Sequence, residues 1–246
     1  MLRHVTDDGA ARIMTTKATK YSQESVLRKL LLIAAIWIAS DIGYYFVLPQ
    51  LGVKSSYNAG SVAIALYYIF WIGIAIITFW NLYRDWIRFD NRIAAYAVWL
   101  VAFGGCTLFA AYVLPRLPAA NWTQSWSAPD VVLATEWYFL PKSVDILFQQ
   151  LLVLAMVLSL AAERLELRRI SLYCALLFSA IHVLLAFGGL PIGYVIRFMI
   201  FASAFGAIFP VLILRVPNGL GYSYMLHWFY YAVTVLMPRF FSTPAS

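Results

Sequence analysis

The chain has 246 residues, of which 63% are apolar and only 12% charged, with a formal net charge of +7. Soluble domains carry about a quarter of their residues as Asp, Glu, Lys and Arg, so this composition leaves too little polar surface to cover a water-facing globule. The basic residues form no long tract and no aromatic-interleaved patch, which argues against a nucleic-acid binder. Cys106 and Cys174 lie singly in apolar runs without disulfide or CxxC spacing and read as packing residues.

Residues 1–26 form a polar tail of mixed charge with no cleavable signal peptide, and Met14 offers a shorter start. Apolar runs of roughly 18–25 residues then follow, the length that crosses a ~30 Å hydrocarbon layer. Three occupy residues 27–115: Leu27–Leu48, closed by Pro49; Ala59–Trp80; and Ile93–Leu114, closed by Pro115. Residues 116–142 form an extracytoplasmic connection in which Trp122, Trp126 and Trp137 suit the headgroup level. Residues 143–241 hold four more spans, Ser143–Ala161, Ser171–Gly188, Ile192–Leu214 and Leu220–Leu236. The joint Gly188-Gly189-Leu190-Pro191 is short enough to force an antiparallel hairpin. The expected fold is an all-α polytopic membrane bundle of about seven transmembrane helices.

Lys and Arg are unevenly divided by side. Arg3, Arg12, Lys17, Lys20, Arg28, Lys29, Arg84, Arg88, Arg92, Arg164, Arg168, Arg169 and Arg215 fall on one side, and Lys54, Arg116, Lys142, Arg197 and Arg239 on the other. The positive-inside rule then places the N-terminus in the cytoplasm.

Ionisable groups inside a span cost about 2.5–3.5 kcal/mol each for Asp, Lys or Arg on translocon scales, so each needs a partner, a cavity or a role. Asp41, Asp145, His182, Arg197 and His227 stand out. Asp41 is expected to pair with a basic group such as Arg197. Asp145 and Gln149, Phe178 and His182, and His227 and Tyr231 are each four apart and share helix faces. One carboxylate and two imidazoles from three helices can converge on a divalent metal such as zinc, or activate a water. Helix–helix hydrogen bonding is the plainer role for each His.

The order and spacing of these pairs resemble the CAAX-protease and bacteriocin-processing family of intramembrane endopeptidases. Members carry Glu-Glu-x-x-x-Arg, Phe-x-x-x-His and His-x-x-x-Asn/Asp on successive core helices. Phe178-Ser-Ala-Ile-His182 reproduces the second motif, and His227-Trp-Phe-Tyr-Tyr231 keeps the His of the third with Tyr in its last place. Val144 and Asp145 stand where the Glu pair does, and Gln149 where the Arg does. The likeness covers roughly residues 130–241. It implies Asp145 as base, with His182 and His227 positioning water or a metal. Gln149, Phe178, Tyr231 and Arg197 would support them, with a membrane-associated peptide or protein as substrate in a bacterial inner membrane. Two other functions fit the same residues. One is a non-catalytic scaffold or maturation partner that keeps the fold. The other is a solute or proton-coupled transporter using Asp41, Asp145 and Arg197 as a relay.

Overall fold

The computed structural model describes residues 26–86, 92–122 and 127–240. Met14, the basic residues Arg3, Arg12, Lys17, Lys20 and Arg88, the side chain of Arg92, and Trp126 lie outside the described residues. Among the described residues the regular structure is entirely helical. Seven long helices follow one another: α1 (Val26–Gln50), α2 (Ser61–Trp86), α3 (Arg92–Arg116), α4 (Glu136–Ala162), α5 (Leu167–Gly188), α6 (Ile192–Arg215) and α7 (Gly219–Phe240).

Six of them, α1 to α6, are long and apolar enough to cross a membrane, so the chain is an integral multi-pass membrane protein. The expected seventh span, α7, has the length at 22 residues but not the hydropathy. Ser223, His227, Thr234, Arg239 and its Tyr residues lower it. Its packing against α3, α4 and α6 explains the tolerance, because a helix flanked by protein needs less lipid-compatible surface than one facing acyl chains.

Helix α4 is the axis of the bundle. In its most apolar window 83% of residues are buried, against 17–33% in the other five spans. It touches α1, α2, α5, α6 and α7, most extensively α2. The outer helices instead present Leu31, Leu66, Ile77, Leu100 and Leu176 outward, the faces that meet lipid. Helices α5 and α6 form the expected antiparallel hairpin, turned at Gly189 with φ of 76°. They approach so closely at Gly206 that a Cβ there would stand 2.6 Å from the Cys174 carbonyl oxygen.

Two spans run one residue past the prolines expected to close them, to Gln50 and Arg116. A proline ring clashes with the carbonyl four residues back and cannot donate to it. In α1 the helix widens into a π turn over Gly43–Val47, with the Leu48 N–H reaching the Gly43 carbonyl, and continues through Pro49 to Gln50. In α3 the same device recurs over Phe109–Val113 ahead of Leu114-Pro115. Each π turn ends at the Val of a Val-Leu-Pro sequence. The π turn in α1 sets Tyr44 and Tyr45 on a cavity wall. Helix α5 also departs from a continuous span, because it tightens into a 3-10 segment from His182 to Gly188.

Candidate functional site

The central feature is the polar end of α4. Lys142, Asp145 and Gln149 project from one face, at spacings of three and four residues, and all are buried to 9% exposure or less. Lys142 Nζ lies 2.8 Å from Asp145 Oδ2. Gln149 Nε2 donates to Oδ1 at 2.8 Å, and the Tyr57 hydroxyl donates to Oδ2 at 3.0 Å. Tyr57 and Tyr68 are also joined through their hydroxyls at 3.0 Å. The Lys142 ammonium sits 4.1 Å from the Tyr231 ring centroid and 4.8 Å from that of Tyr57, within cation–π range. Burial, and after it the Asp145 charge, raises the Tyr57 phenol well above the ordinary tyrosine value, so it remains a donor.

Lys142 is a correction to the charge reading. It is no exposed topology signal, because its side chain is drawn into the bundle and neutralised by Asp145. The i, i+3 spacing of Lys142 and Asp145 was the available signal. Tyr57 could not have been found that way, since its contact with Asp145 spans 88 positions of sequence.

Asp145 faces a partly open cavity of about 330 Å³, enclosed by α1, α2, α4, α5, α6 and α7 and capped by two interlocked connections. In the first connection the Tyr57 backbone N–H donates to Asp130 Oδ2 at 2.7 Å. Asn58 Oδ1 accepts from the backbone and hydroxyl of Thr135, at 2.9 and 3.0 Å. Arg239, at the end of α7, donates to the carbonyls of Pro118 and Ala134 at 2.9 and 2.7 Å. It therefore clamps the connection to the bundle.

The sequence-derived pairs are in contact as expected. Phe178 and His182 meet ring to ring at 5.0 Å and His227 and Tyr231 at 5.6 Å, while Gln149 bonds Asp145. Their convergence is incomplete. Asp145, His182, Gln149 and Tyr231 line the large cavity, but His227 does not. His227 lies behind it among Phe178, Phe205, Phe209 and Tyr231, with centroids 5.6–6.0 Å away. Gln150 Nε2 donates to its Nδ1 at 3.1 Å. His182 donates from Nδ1 to the Phe178 carbonyl at 2.7 Å. The two imidazoles share only a void of about 10 Å³, room for one water at most.

Among the described residues no group of three or more His, Cys, Asp or Glu side chains is placed to hold a metal ion. The expected zinc set of His182, His227 and Asp145 is therefore not assembled. Both Asp145 oxygens and one nitrogen of each imidazole are engaged by protein groups instead. The expected Asp41–Arg197 pair is likewise absent. Asp41 lines the cavity, whereas Arg197 is exposed near the start of α6. The ion pairs among the described residues are Arg84–Asp85 and Lys142–Asp145.

No family model, curated protein or solved structure matches this chain.

Proposed function

We propose that the protein is a non-hydrolytic membrane receptor or scaffold, whose cavity takes the polar part of a membrane-associated peptide or amphiphile. The observation that carries this reading is the Lys142–Asp145 pair at 2.8 Å. An ionised carboxylate offers about four lone-pair sites, and three donors already occupy Asp145. A general base must bring a free lone pair to a water, and here a buried ammonium competes for it. The position expected to hold a second carboxylate is Val144. A cavity of about 330 Å³ nevertheless falls in the range of small-ligand sites, about 300–1,000 Å³. On this reading the resemblance to the CAAX-protease family reflects a shared helical core without its hydrolysis. The chain then sits in a bacterial inner membrane with its N-terminus cytoplasmic, as the Lys and Arg distribution favours.

One observation favours the alternative of a divergent intramembrane peptidase: Asp145 and His182 line the same cavity. The transporter reading has less support, since Arg197 is outside the cavity wall and pairs with neither Asp41 nor Asp145.

The test uses lauroyl-Gly-Ala-Lys-amide, a lipid-anchored peptide, and native mass spectrometry of the protein released from detergent. The expected result is a one-to-one complex that Ser55→Trp removes, because exposed Ser55 lines the cavity. Equal binding by the wild type and Ser55→Trp would contradict the site.

A further inference from the structure

The charge on the cavity wall is unbalanced. Three carboxylates line it, from Asp41, Asp130 and Asp145, against the single ammonium of Lys142. That ammonium is already committed to Asp145 at 2.8 Å. Asp130 accepts the Tyr57 N–H. Asp41 has no hydrogen bond and no ion pair among the described residues. A carboxyl group on the wall of a low-dielectric bundle without a counter-ion holds its charge best when a cation stands beside it, and weak screening there makes that pairing strong.

A second observation points the same way. Gln149 lines the cavity at 9% exposure, and its Oε1 has no hydrogen-bond partner. Its Nε2 is spent on Asp145, so what the side chain still lacks is a donor. An N–H group on a ligand supplies one. The adjoining wall carries Trp37, Tyr44 and Tyr45, and aromatic faces favour cations over anions. The wall thus offers a carboxyl group without a partner, a buried amide oxygen that lacks a donor and aromatic rings, and its one cation is already used. An anion would meet Asp41 and Asp130 without a free cation to receive it. A bare metal ion would find no cluster of three acidic, His or Cys ligands.

We propose that the cavity selects an organic ammonium group, with Asp41 as its counter-ion, Gln149 Oε1 as a hydrogen-bond acceptor and the Trp37, Tyr44 and Tyr45 rings as its wall. This rests on the reading of the cavity as a binding site. The ammonium comes either from a soluble or peptide amine or from an ethanolamine lipid headgroup.

The experiment titrates n-butylammonium, n-butanol and butyrate into the full chain in maltoside micelles and follows saturation-transfer NMR. Butylammonium is expected to bind in preference to both others. Asp41→Asn is expected to weaken it about tenfold, the loss of one charge-assisted contact. Asp41→Glu keeps the charge and is expected to retain binding, which separates loss of the counter-ion from misfolding. Repeating the titration in phosphatidylcholine nanodiscs, with and without phosphatidylethanolamine, distinguishes the source. Competition by the ethanolamine lipid identifies a headgroup, and unchanged binding identifies a soluble or peptide amine. Equal binding of all three probes, indifferent to Asp41→Asn, overturns the charge selectivity while leaving a binding cavity. Absence of binding by all three overturns both the selectivity and the receptor reading.

Discussion

Replacing Lys142 with methionine keeps most of the side-chain volume and removes the charge, leaving Asp145 buried without its cation. The two side chains are 9% and 5% exposed, and their charged atoms are 2.8 Å apart. Removing one partner from a buried pair costs about 3–5 kcal/mol, most of it the penalty on the charge left behind. Gln149 and Tyr57 still donate to the carboxylate, so the expected cost lies near the lower bound, about 3 kcal/mol. Asp145→Leu strands the ammonium with only the Tyr231 and Tyr57 rings beside it and should cost as much. The double variant, Lys142→Met with Asp145→Leu, replaces the pair by apolar groups, a change that is often near neutral. The assay is reversible unfolding in mixed micelles followed by circular dichroism, for the wild type, both single variants and the double. With each single variant costing about 3 kcal/mol and the double near neutral, a coupling of about 6 kcal/mol is expected. Two single variants each costing under about 1 kcal/mol, with additive effects in the double, would refute a desolvated pair.

Three further outcomes follow from the packing. Tyr57→Phe removes the hydroxyl bridging Asp145 and Tyr68 and should cost about 1.5–3 kcal/mol, the range for a bond to a charged group; a change below about 0.5 kcal/mol in the same unfolding assay would show that the bridge is not formed. Gly206→Ala forces a Cβ against the backbone of Cys174 and Ala175 and should cost about 1–3 kcal/mol. Gly104→Ala, where a Cβ meets nothing within 4 Å, should gain up to about 1 kcal/mol, and equal effects at both glycines would contradict the close α5–α6 approach. Gln150→Leu deprives His227 Nδ1 of its donor and should cost about 0.6 kcal/mol, the usual size of an interhelical bond in a bilayer. Gains in stability would show that His227 takes its bond elsewhere.

The spans were legible in the sequence because bilayer thickness sets a minimum apolar length, and α1 to α6 each meet it. Helix α7 is legible as a helix, yet its polar residues serve contacts inside the bundle that hydropathy does not distinguish from a water-facing end. The Leu-Pro pairs at Leu48-Pro49 and Leu114-Pro115 mark the helix ends to within a residue, but the π turns that accommodate the prolines leave no signal in hydropathy. Local spacing sufficed for pairs on one helix, such as Asp145 with Gln149. It failed for tertiary contacts. Tyr57 reaches Asp145 from a connection, and Asp41 and Arg197, both rare charges within apolar runs, are directed to different surroundings. Lys142 sits at a span boundary, where a charge serves equally well as an anchor or as a buried partner, and only the fold separates the two.

The most direct test of a receptor without hydrolysis is a time course of lauroyl-Gly-Ala-Lys-amide incubated with the reconstituted protein, read by mass spectrometry for wild type and Asp145→Asn. The account predicts that the peptide stays intact with both proteins while remaining bound to the wild type. Fragments generated by the wild type and absent with Asp145→Asn would contradict it, and would make Asp145 the base of a peptidase despite its pairing with Lys142.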